Sequence, residues 1–152
     1  MVEKKVIPTD LKAARQVAER FLERVKATGC GANVLFAVRL AMEEALANAV
    51  KHGNKFDRKK KITVSAQVDP ESTAITVADE GDGFDPDHLP DPTADENLER
   101  PCGRGIMLMR AYMDDVIFNK RGNQVRMVKR TPKPTPTQGR PAGTGRTGGA
   151  GD

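Results

Sequence analysis

The segment from Glu43 to Gly53 most constrains what this chain can fold into, because it combines a helical pattern with polar side chains. At about 100° per residue, the region from Ala32 to Val50 carries one apolar stripe, formed by Leu35, Val38, Met42, Ala45, Leu46 and Ala49. Glu44, Asn48 and Lys51 lie together on the opposite side, beside alanines. Side chains four residues apart on a helix point the same way. This face therefore has the layout of a ligand-binding wall, with a solvated charged surface as the alternative.

The composition predicts one folded domain, residues 1–130, followed by a different kind of segment. The 152 residues suit a single domain, and 38% of them are hydrophobic and 30% charged. The stretch from Thr131 to Asp152 holds four prolines, six glycines and no large apolar side chain, so we predict that it is disordered. The tail carries +2 of the formal charge of +4, which leaves a mild +2 for the domain. This charge does not imply a nucleic-acid groove.

Neither cysteine chemistry nor a membrane segment is indicated. Cys30 and Cys102 lie far apart and belong to no Cys-x-x-Cys or zinc-binding spacing, which favours a reducing compartment. No apolar run approaches the roughly 20 residues that span a membrane, and the first residues lack the core of a signal peptide. We therefore expect a cytoplasmic protein without a membrane partner.

Short patterns predict where the first two helices begin and end. Thr9 or Asp10 can cap a helix whose apolar positions run from Leu11 to Val25. Asn33 is predicted to cap the second helix. Gly53 is predicted to end that helix at a C′ position with positive φ, where glycine is favoured.

A predicted β-hairpin ends in a carboxylate that shares a face with core residues. Lys61 to Val68 alternates apolar and polar side chains, and Ala74 to Asp79 is the return strand. Ile75, Val77 and Asp79 point the same way, because side chains alternate along a strand. A buried carboxylate without a donor is costly, so Asp79 is a candidate acceptor for a ligand amino group. The alternative is that Asp79 turns outward into the loop.

Two glycine pairs flank a long stretch punctuated by prolines. Gly81 and Gly83 allow close backbone approach and positive φ, although a plain turn has the same composition. Residues 84–102 show no period, which is typical of a lid, a binding loop or a disordered segment. Gly103 and Gly105 precede a predicted helix, and the free N–H groups of a helix N-terminus suit phosphate. A flexible joint before a core helix is the alternative for this second pair.

The remaining strands complete a two-layer arrangement. Asp114 to Asn119 and Gln124 to Lys129 are predicted to form a second hairpin, and Val2 to Ile7 is predicted to be an edge strand. The order is strand, two helices, hairpin, long loop, helix and hairpin. Helices that segregate from antiparallel strands indicate an α/β (α+β) two-layer sandwich, with an antiparallel or mixed sheet and the helices on one face.

Three motifs in this order resemble the ATP-binding domain shared by gyrase, chaperone ATPases, histidine kinases and MutL, the GHKL (Bergerat) fold. They are Glu44-Ala45-Leu46-Ala47-Asn48-Ala49-Val50-Lys51-His52-Gly53, Asp79-Glu80-Gly81-Asp82-Gly83-Phe84, and Leu98-Glu99-Arg100 with Gly103-Arg104-Gly105-Ile106. The resemblance covers Val2 to Arg130 and is strongest to the small anti-sigma factor serine kinases of bacteria. The length leaves no space for the extra domains of larger relatives, and a histidine kinase needs a phosphoacceptor histidine on a separate helix. A stand-alone domain therefore fits the anti-sigma type.

The resemblance implies roles for the polar residues of the second helix and the first hairpin. Asn48 would hold Mg²⁺ through its amide oxygen, with ATP phosphates and water completing the shell. Glu44 would be the general base toward a protein serine. Asp79 would accept a hydrogen bond from the adenine amino group, and Lys51 would contact a phosphate.

The resemblance also assigns the glycine pairs to the nucleotide. The further contacts that it implies are Gly81, Gly83, Arg100, Gly103, Arg104 and Gly105. The first glycine pair would let the chain pass under the base, and the second would hinge the lid and turn backbone N–H groups toward the phosphates. The arginine at position 100 would lie where the lid reaches the terminal phosphate. This chain departs from relatives at Gly122-Asn123-Gln124, where a Gly-Thr pair often contacts the nucleotide.

As a whole-protein function, the resemblance implies an ATP-dependent serine protein kinase that acts as an anti-sigma factor. Its partners would be a sigma factor and a STAS-type anti-sigma factor antagonist, whose serine it would phosphorylate. A homodimer is expected, with Val2 to Ile7 as a candidate interface strand. The alternative is a nucleotide-gated binding module without kinase turnover. No nucleic-acid partner is expected, because the tail carries three positive charges and no aromatic side chain.

Overall fold

The computed structural model describes residues 2–82 and 101–132, with side chains from residue 105 onward in the second range. Within these ranges, three α-helices pack against one face of a five-stranded sheet. In chain order the elements are β1 (Val2–Pro8), α1 (Leu11–Ala27), α2 (Ala32–Asn48), β2 (Lys61–Val68), β3 (Ser72–Ala78), α3 (Pro101–Tyr112), β4 (Asp115–Phe118) and β5 (Gln124–Arg130). None of these described helices is long and apolar enough to cross a membrane.

The strands lie in the order β1-β2-β3-β5-β4, and each neighbouring pair of described strands is antiparallel. The register aligns Val64 with Val77 and Val77 with Val125, so buried side chains form rows across the sheet. These rows pack against the helices and form the hydrophobic core. Both predicted hairpins and the two-layer α+β sandwich are therefore confirmed, and the described sheet is antiparallel throughout.

The predicted N-terminal edge strand is present as β1. Glu3 turns toward α1, where its carboxylate accepts hydrogen bonds from Arg20 and, at 3.1 Å, from Arg24. These bonds lower the pKa of Glu3. Val2 and Val6 lie on the other face of β1 and are 63% and 61% exposed. One face of β1 is thus tied to the helix layer, while the other presents apolar side chains to solvent.

Helix α1 begins where the sequence predicts. Asp10 has extended backbone angles, and its carboxylate accepts a hydrogen bond from the backbone N–H of Lys12 at 3.3 Å, which makes it the N-cap. The buried side of α1 consists of Ala14, Val17, Ala18, Phe21, Leu22 and Val25. Leu11, at the start of the predicted stripe, is 38% exposed. The helix therefore covers the sheet with the face that its apolar spacing predicts.

The predicted cap of α2 is wrong. The helix begins at Ala32, and Gly31 occupies the N-cap position with a φ of 95°, a backbone conformation that favours glycine. Asn33 lies inside the helix with an exposed side chain, and none of the described side chains caps this end. A left-handed glycine lets the chain turn into the helix early, so the cap position falls before the asparagine.

Helix α2 is buried on two sides rather than one. The predicted apolar stripe packs in the core, except for Leu35, which is only partly buried. Ala37 and Ala41, on the side with the polar row, are also buried, at 3% and 0% exposure. Helix α3 packs along this side. The small residues therefore make room for a neighbouring helix, and this helix brings its own backbone close to the polar row.

The end of α2 differs from the prediction in both geometry and cause. Residues Ala49–Gly53 form one wider π turn, and the N–H of Asn54 donates to the carbonyl of Ala49 at 2.8 Å. The φ of Gly53 is not positive; Lys55 and Phe56 take the left-handed conformation instead, at 51° and 60°. The positive-φ C′ glycine predicted at position 53 is therefore wrong, because the helix ends through a π turn.

Helix α3 starts earlier than the glycine pair indicates. It begins at Pro101, so Gly103 lies in its first turn and Gly105 in its second. Only the first four N–H groups of a helix are without intrahelical partners, and Gly105 is the fifth residue. Ile106 and Met109 are buried at 1% each, whereas Met107 is 50% exposed. The glycines thus belong to the helix rather than to a joint before it.

Candidate functional site

Asp79 lies where strand parity predicts, one residue beyond the end of β3. Ile75 and Val77 of the same face are buried in the core at 0% and 3% exposure, and Asp79 itself is partly buried. Its N–H donates to the carbonyl of Asn123 at 2.9 Å, and its Oδ1 accepts from the N–H of Gly81 at 2.8 Å. Among the described residues, Oδ2 has no hydrogen-bond partner.

The electrostatics of Asp79 favour a ligand that donates a hydrogen bond. Burial raises the pKa of its carboxyl group, and the Gly81 N–H and the charge of Lys60 partly oppose this rise. A carboxylate that is partly desolvated gains from an additional donor. An amino group in the adjacent cavity would supply one.

Two glycines hold the backbone tightly around this carboxylate. A Cβ at Gly53 would overlap the Asp79 carboxylate, lying only 2.7 Å from Oδ1. A Cβ at Gly81 would overlap the carbonyl of Gly53. Neither glycine has a positive φ. Both are therefore needed for close packing of the π turn against the end of β3, and not for an unusual backbone angle.

A cavity of about 110 Å³ opens between the end of α2 and the end of the sheet. Its polar lining includes Asn48 and His52 on the helix side and Asp79 on the sheet side. The other lining residues are Ala45, Ala49, Gly53, Val77, Ile106, Met109, Phe118, Gly122, Asn123, Gln124 and Val125. A mainly apolar slot with a few polar groups is typical of a small-molecule site, and this one suits a flat ring with a polar edge.

Glu44 and Asn48 meet the backbone of α3 at one point. A Cβ on Gly105 would lie 2.8 Å from Oε1 of Glu44 and 3.1 Å from Nδ2 of Asn48. Both side chains are partly buried, and they lie one turn apart on α2. Asn48 also lines the cavity. The structure therefore places a carboxylate beside an amide that reaches the ligand slot.

These residues suit Mg²⁺ only if a ligand supplies most of its shell. Among the described residues, no group of three or more His, Cys, Asp or Glu side chains could hold a metal ion. Mg²⁺ usually keeps several waters and binds proteins through one or two oxygen ligands together with phosphates. The amide oxygen of Asn48 fits such a role.

The π turn carries two further polar residues. Lys51 is exposed and does not line the cavity, whereas His52 does. Burial, and the neighbouring charge of Lys51, lower the pKa of His52, which favours its neutral imidazole. A neutral imidazole can donate or accept a hydrogen bond at the cavity wall.

Some predicted site residues lie outside this description. Gly83 and Arg100 fall outside the described residues, and the side chain of Arg104 is not described. For Gly103, only the position of its backbone in α3 is described. Of the predicted site residues that are described, Asn48 and Asp79 line the cavity. Gly81 contacts Asp79, and Glu44 and Gly105 lie beside Asn48 without lining the cavity themselves.

Sequence reasoning missed two asparagines. Asn54, which is 1% exposed, accepts a hydrogen bond from the N–H of Glu80 at 2.8 Å, next to Asp79. Asn123, noted only as a departure from relatives, accepts from the N–H of Asp79 through its carbonyl and lines the cavity. No periodic signal marks Asn54, because its burial depends on the π turn that precedes it.

Comparison with known proteins agrees with this geometry. The sequence profile of the histidine kinase-like ATPase domain matches residues 6–129. Serine-protein kinase RsbW of Bacillus subtilis (strain 168) is 35% identical over 101 residues, which cover 60% of this chain and 62% of the relative. RsbW of Oceanobacillus iheyensis is 30% identical over 99 residues, or 60% of this chain and 63% of the relative.

A third relative bears a different name. Anti-sigma F factor of Clostridium perfringens (strain SM101 / Type A) is 27% identical over 95 residues, which cover 60% of this chain and 67% of the relative. The chain thus spans less than two thirds of the length of the two kinases. The domain match is longer and includes all five strands and three helices at least in part. This chain belongs to the histidine kinase-like ATPase domain family, of the GHKL type.

Proposed function

We propose that this chain is an ATP-dependent serine protein kinase that acts as an anti-sigma factor. One observation carries the proposal: a partly buried carboxylate, Asp79, lies at an apolar cavity whose opposite wall presents Asn48, with Glu44 next to it. The names of the relatives, serine-protein kinase and anti-sigma factor, support the same activity.

The cavity would hold the adenine of ATP. Asp79 would accept from the exocyclic amino group, which supplies the donor that its desolvated carboxylate lacks. The apolar wall of Val77, Ile106 and Met109 would pack against the ring. Guanine carries a carbonyl oxygen in place of that amino group, so Asp79 would repel it. This arrangement would select ATP over GTP.

Asn48 and Glu44 would act at the phosphate end. Asn48 would hold Mg²⁺, which neutralises phosphate charge during in-line transfer when it is bound. Glu44 would orient the serine hydroxyl and accept its proton, as a general base does. Lys51, Arg100, Arg104 and the backbone of Gly103 would contact phosphates, and Gly83 would lie under the base together with Gly81.

The partners would be a sigma factor and a STAS-type antagonist that carries the accepting serine. A homodimer would use β1, whose Val2 and Val6 present an apolar face to solvent. Partner switching would follow from phosphorylation, because a new charge on the antagonist serine disfavours a packed interface.

A transfer assay on matched glutamates tests this function. Purified chain is incubated with ATP labelled on the γ-phosphate and with STAS-domain proteins from the same genome. Glu44→Gln should reduce transfer by roughly 10²–10⁴-fold while the Kd for ATP stays within about twofold. Glu43→Gln is the control, because Glu43 is exposed and faces Arg39 rather than α3.

Two results would count against the assignment. Equal transfer by Glu44→Gln and wild type would remove Glu44 as the base. Binding of ATP without transfer to any STAS-domain protein would instead favour the nucleotide-gated binding module.

A further inference from the structure

Asn54 is the described residue whose side chain joins the most separate parts of the fold beside the cavity. It is 1% exposed, and all of its polar atoms are used. Nδ2 donates to Oγ1 of Thr9 at 2.8 Å and to the carbonyl of Lys61 at 3.0 Å. Oδ1 accepts from the N–H of Glu80 at 2.8 Å. The α2–β2 connection is thereby tied to the start of α1, the start of β2 and the turn after β3.

The π turn explains why an asparagine is buried here. Asn54 directly follows Gly53, and its own N–H closes the wide turn by donating to the carbonyl of Ala49. A π turn holds one more residue than an α turn, which changes the direction of the next side chain. Gly53 meanwhile packs against Asp79 without a side chain. The turn therefore delivers Asn54 to the segment that carries the ligand carboxylate.

The turn from Asp79 to Gly81 is held from two sides. On one side, Asn123 accepts from the N–H of Asp79; on the other, Asn54 accepts from the N–H of Glu80. The carboxylate of Glu80 also accepts from the N–H of Lys61 at 2.8 Å, which strengthens the second side. Without Asn54, the Glu80 N–H would lose its partner, and the second side would keep only the bond between Lys61 and the Glu80 carboxylate.

We infer that Asn54 is a positioning residue for base recognition: by holding the Glu80 N–H, it fixes the carboxylate of Asp79 at the cavity. This inference rests on the proposed function, because it assigns the purpose of the contact to adenine binding. Asn54 would thus influence base binding without contacting the ligand. It would affect the affinity for ATP and the discrimination between ATP and GTP, since both depend on where the Asp79 carboxylate lies.

The contacts of Asn54 allow the structural and positioning roles to be separated. Thr9 Oγ1 donates to the carbonyl of Lys60 at 2.8 Å and accepts from Asn54, and neither bond involves the turn after β3. Thr9→Val removes these two bonds and leaves the Asn54–Glu80 bond in place. Asn54→Ala removes the bonds of the Asn54 side chain to Thr9, Lys61 and Glu80, and leaves the Thr9–Lys60 bond in place. A purely structural residue would give two variants that differ in stability alone.

The experiment measures ATP and GTP binding by calorimetry, at a temperature where circular dichroism shows wild type, Thr9→Val and Asn54→Ala all folded. Both variants should lose roughly 4–8 °C in Tm through the missing buried hydrogen bonds. Only Asn54→Ala should bind ATP at least about tenfold more weakly, with a smaller ATP/GTP ratio, whereas Thr9→Val should stay within about twofold of wild type.

Three outcomes decide the matter. ATP binding by Asn54→Ala within twofold of wild type, or an equal loss in Thr9→Val, would overturn the inference while leaving the proposed function intact. If wild type binds neither nucleotide, the proposed function fails and the inference falls with it. Should Asn54→Ala not fold, Asn54→Ser takes its place, because its hydroxyl is one bond shorter than the amide oxygen and leaves the Glu80 N–H without its partner; ATP binding by Asn54→Ser within twofold of wild type would overturn the inference.

Discussion

Gly53 and Asp79 occupy adjoining space so closely that a methyl group on Gly53 would overlap the carboxylate. An ideal Cβ at Gly53 would lie 2.7 Å from Oδ1 of Asp79. The glycine belongs to the π turn that follows α2, and the aspartate directly follows the central strand, β3. The backbone of the π turn thus lies directly against the Asp79 carboxylate at the cavity, and the position of the carboxylate depends on that contact.

Gly53→Ala should therefore displace Asp79 and weaken ATP binding. Overpacking of this kind costs about 1–3 kcal/mol in stability, and the affinity for ATP should fall by at least roughly tenfold. Calorimetric titration and urea unfolding measure the two effects.

Gly29→Ala is the matched control for that substitution. Gly29 has a φ of 74° with open space around its Cβ position, so alanine there is strained but touches nothing. It should cost about 1–2 kcal/mol and leave the Kd for ATP unchanged. A Gly53→Ala variant with wild-type affinity would show that the contact does not position the carboxylate.

Asp79→Asn should stabilise the free protein while removing its ligand contact. Because burial raises the pKa of this carboxyl group in the folded state, the folded chain binds the proton more tightly than the unfolded chain. The free energy of unfolding of wild type therefore falls as the pH rises from the pKa of the unfolded chain, about 3.9, through the raised pKa of the folded chain. An asparagine does not titrate, so the free energy of unfolding of the variant should exceed that of wild type at pH 7.

The pH dependence makes this prediction specific. The stability gain of Asp79→Asn should disappear toward pH 3, where the wild-type carboxyl is protonated in both states. Urea unfolding at pH 3 and pH 7 measures it, and Asp82→Asn, at an exposed aspartate in the same loop, should show no gain. A gain of equal size at both pH values would mean that the buried charge is not its cause.

The sequence predicts correctly the face of β3 on which Asp79 lies, because that face depends only on neighbouring residues of the strand. Side chains alternate along a strand regardless of what packs around it, so burial of Ile75 and Val77 implies the side on which Asp79 lies. The N-cap Asp10 is predictable for the same reason, since the bond runs to a residue two positions away. Local chemistry also supports the predicted hairpins.

Asn54 and the caps of α2 depend on features that a helical wheel does not contain. A wheel at fixed angle cannot show the π turn of Ala49–Gly53, and that turn decides where Asn54 points and why position 53 is glycine. At the other end, Asn33 satisfies the N-cap preference, yet Gly31 takes the position through its φ of 95°. These outcomes follow from contacts and backbone angles set by the tertiary fold.

Gly105→Ala should separate fold stability from chemistry. Alanine favours the interior of a helix over glycine by about 1 kcal/mol, so α3 should not lose stability. The added Cβ would nevertheless lie 2.8 Å from Oε1 of Glu44 and force that flexible side chain, and Asn48, to shift. The Mg²⁺-dependent part of ATP affinity should fall by roughly tenfold.

Calorimetry and thermal unfolding of Gly105→Ala are compared with those of Met107→Ala, which changes an exposed residue on the same helix. The control should match wild type in affinity. Unchanged Mg²⁺ dependence in Gly105→Ala would contradict the placement of Asn48 and Glu44 against this glycine.

The proposed function requires a Mg–ATP site that Asn48 and Asp79 line. The most direct measurement is calorimetric titration of wild type, Asn48→Ala and Asp79→Asn with ATP and ADP, each with and without Mg²⁺. Wild type is expected to bind ATP in a Mg²⁺-dependent manner, Asn48→Ala to lose this dependence, and Asp79→Asn to bind both nucleotides poorly. Wild-type protein that binds neither nucleotide under any of these conditions would rule out the Mg–ATP site.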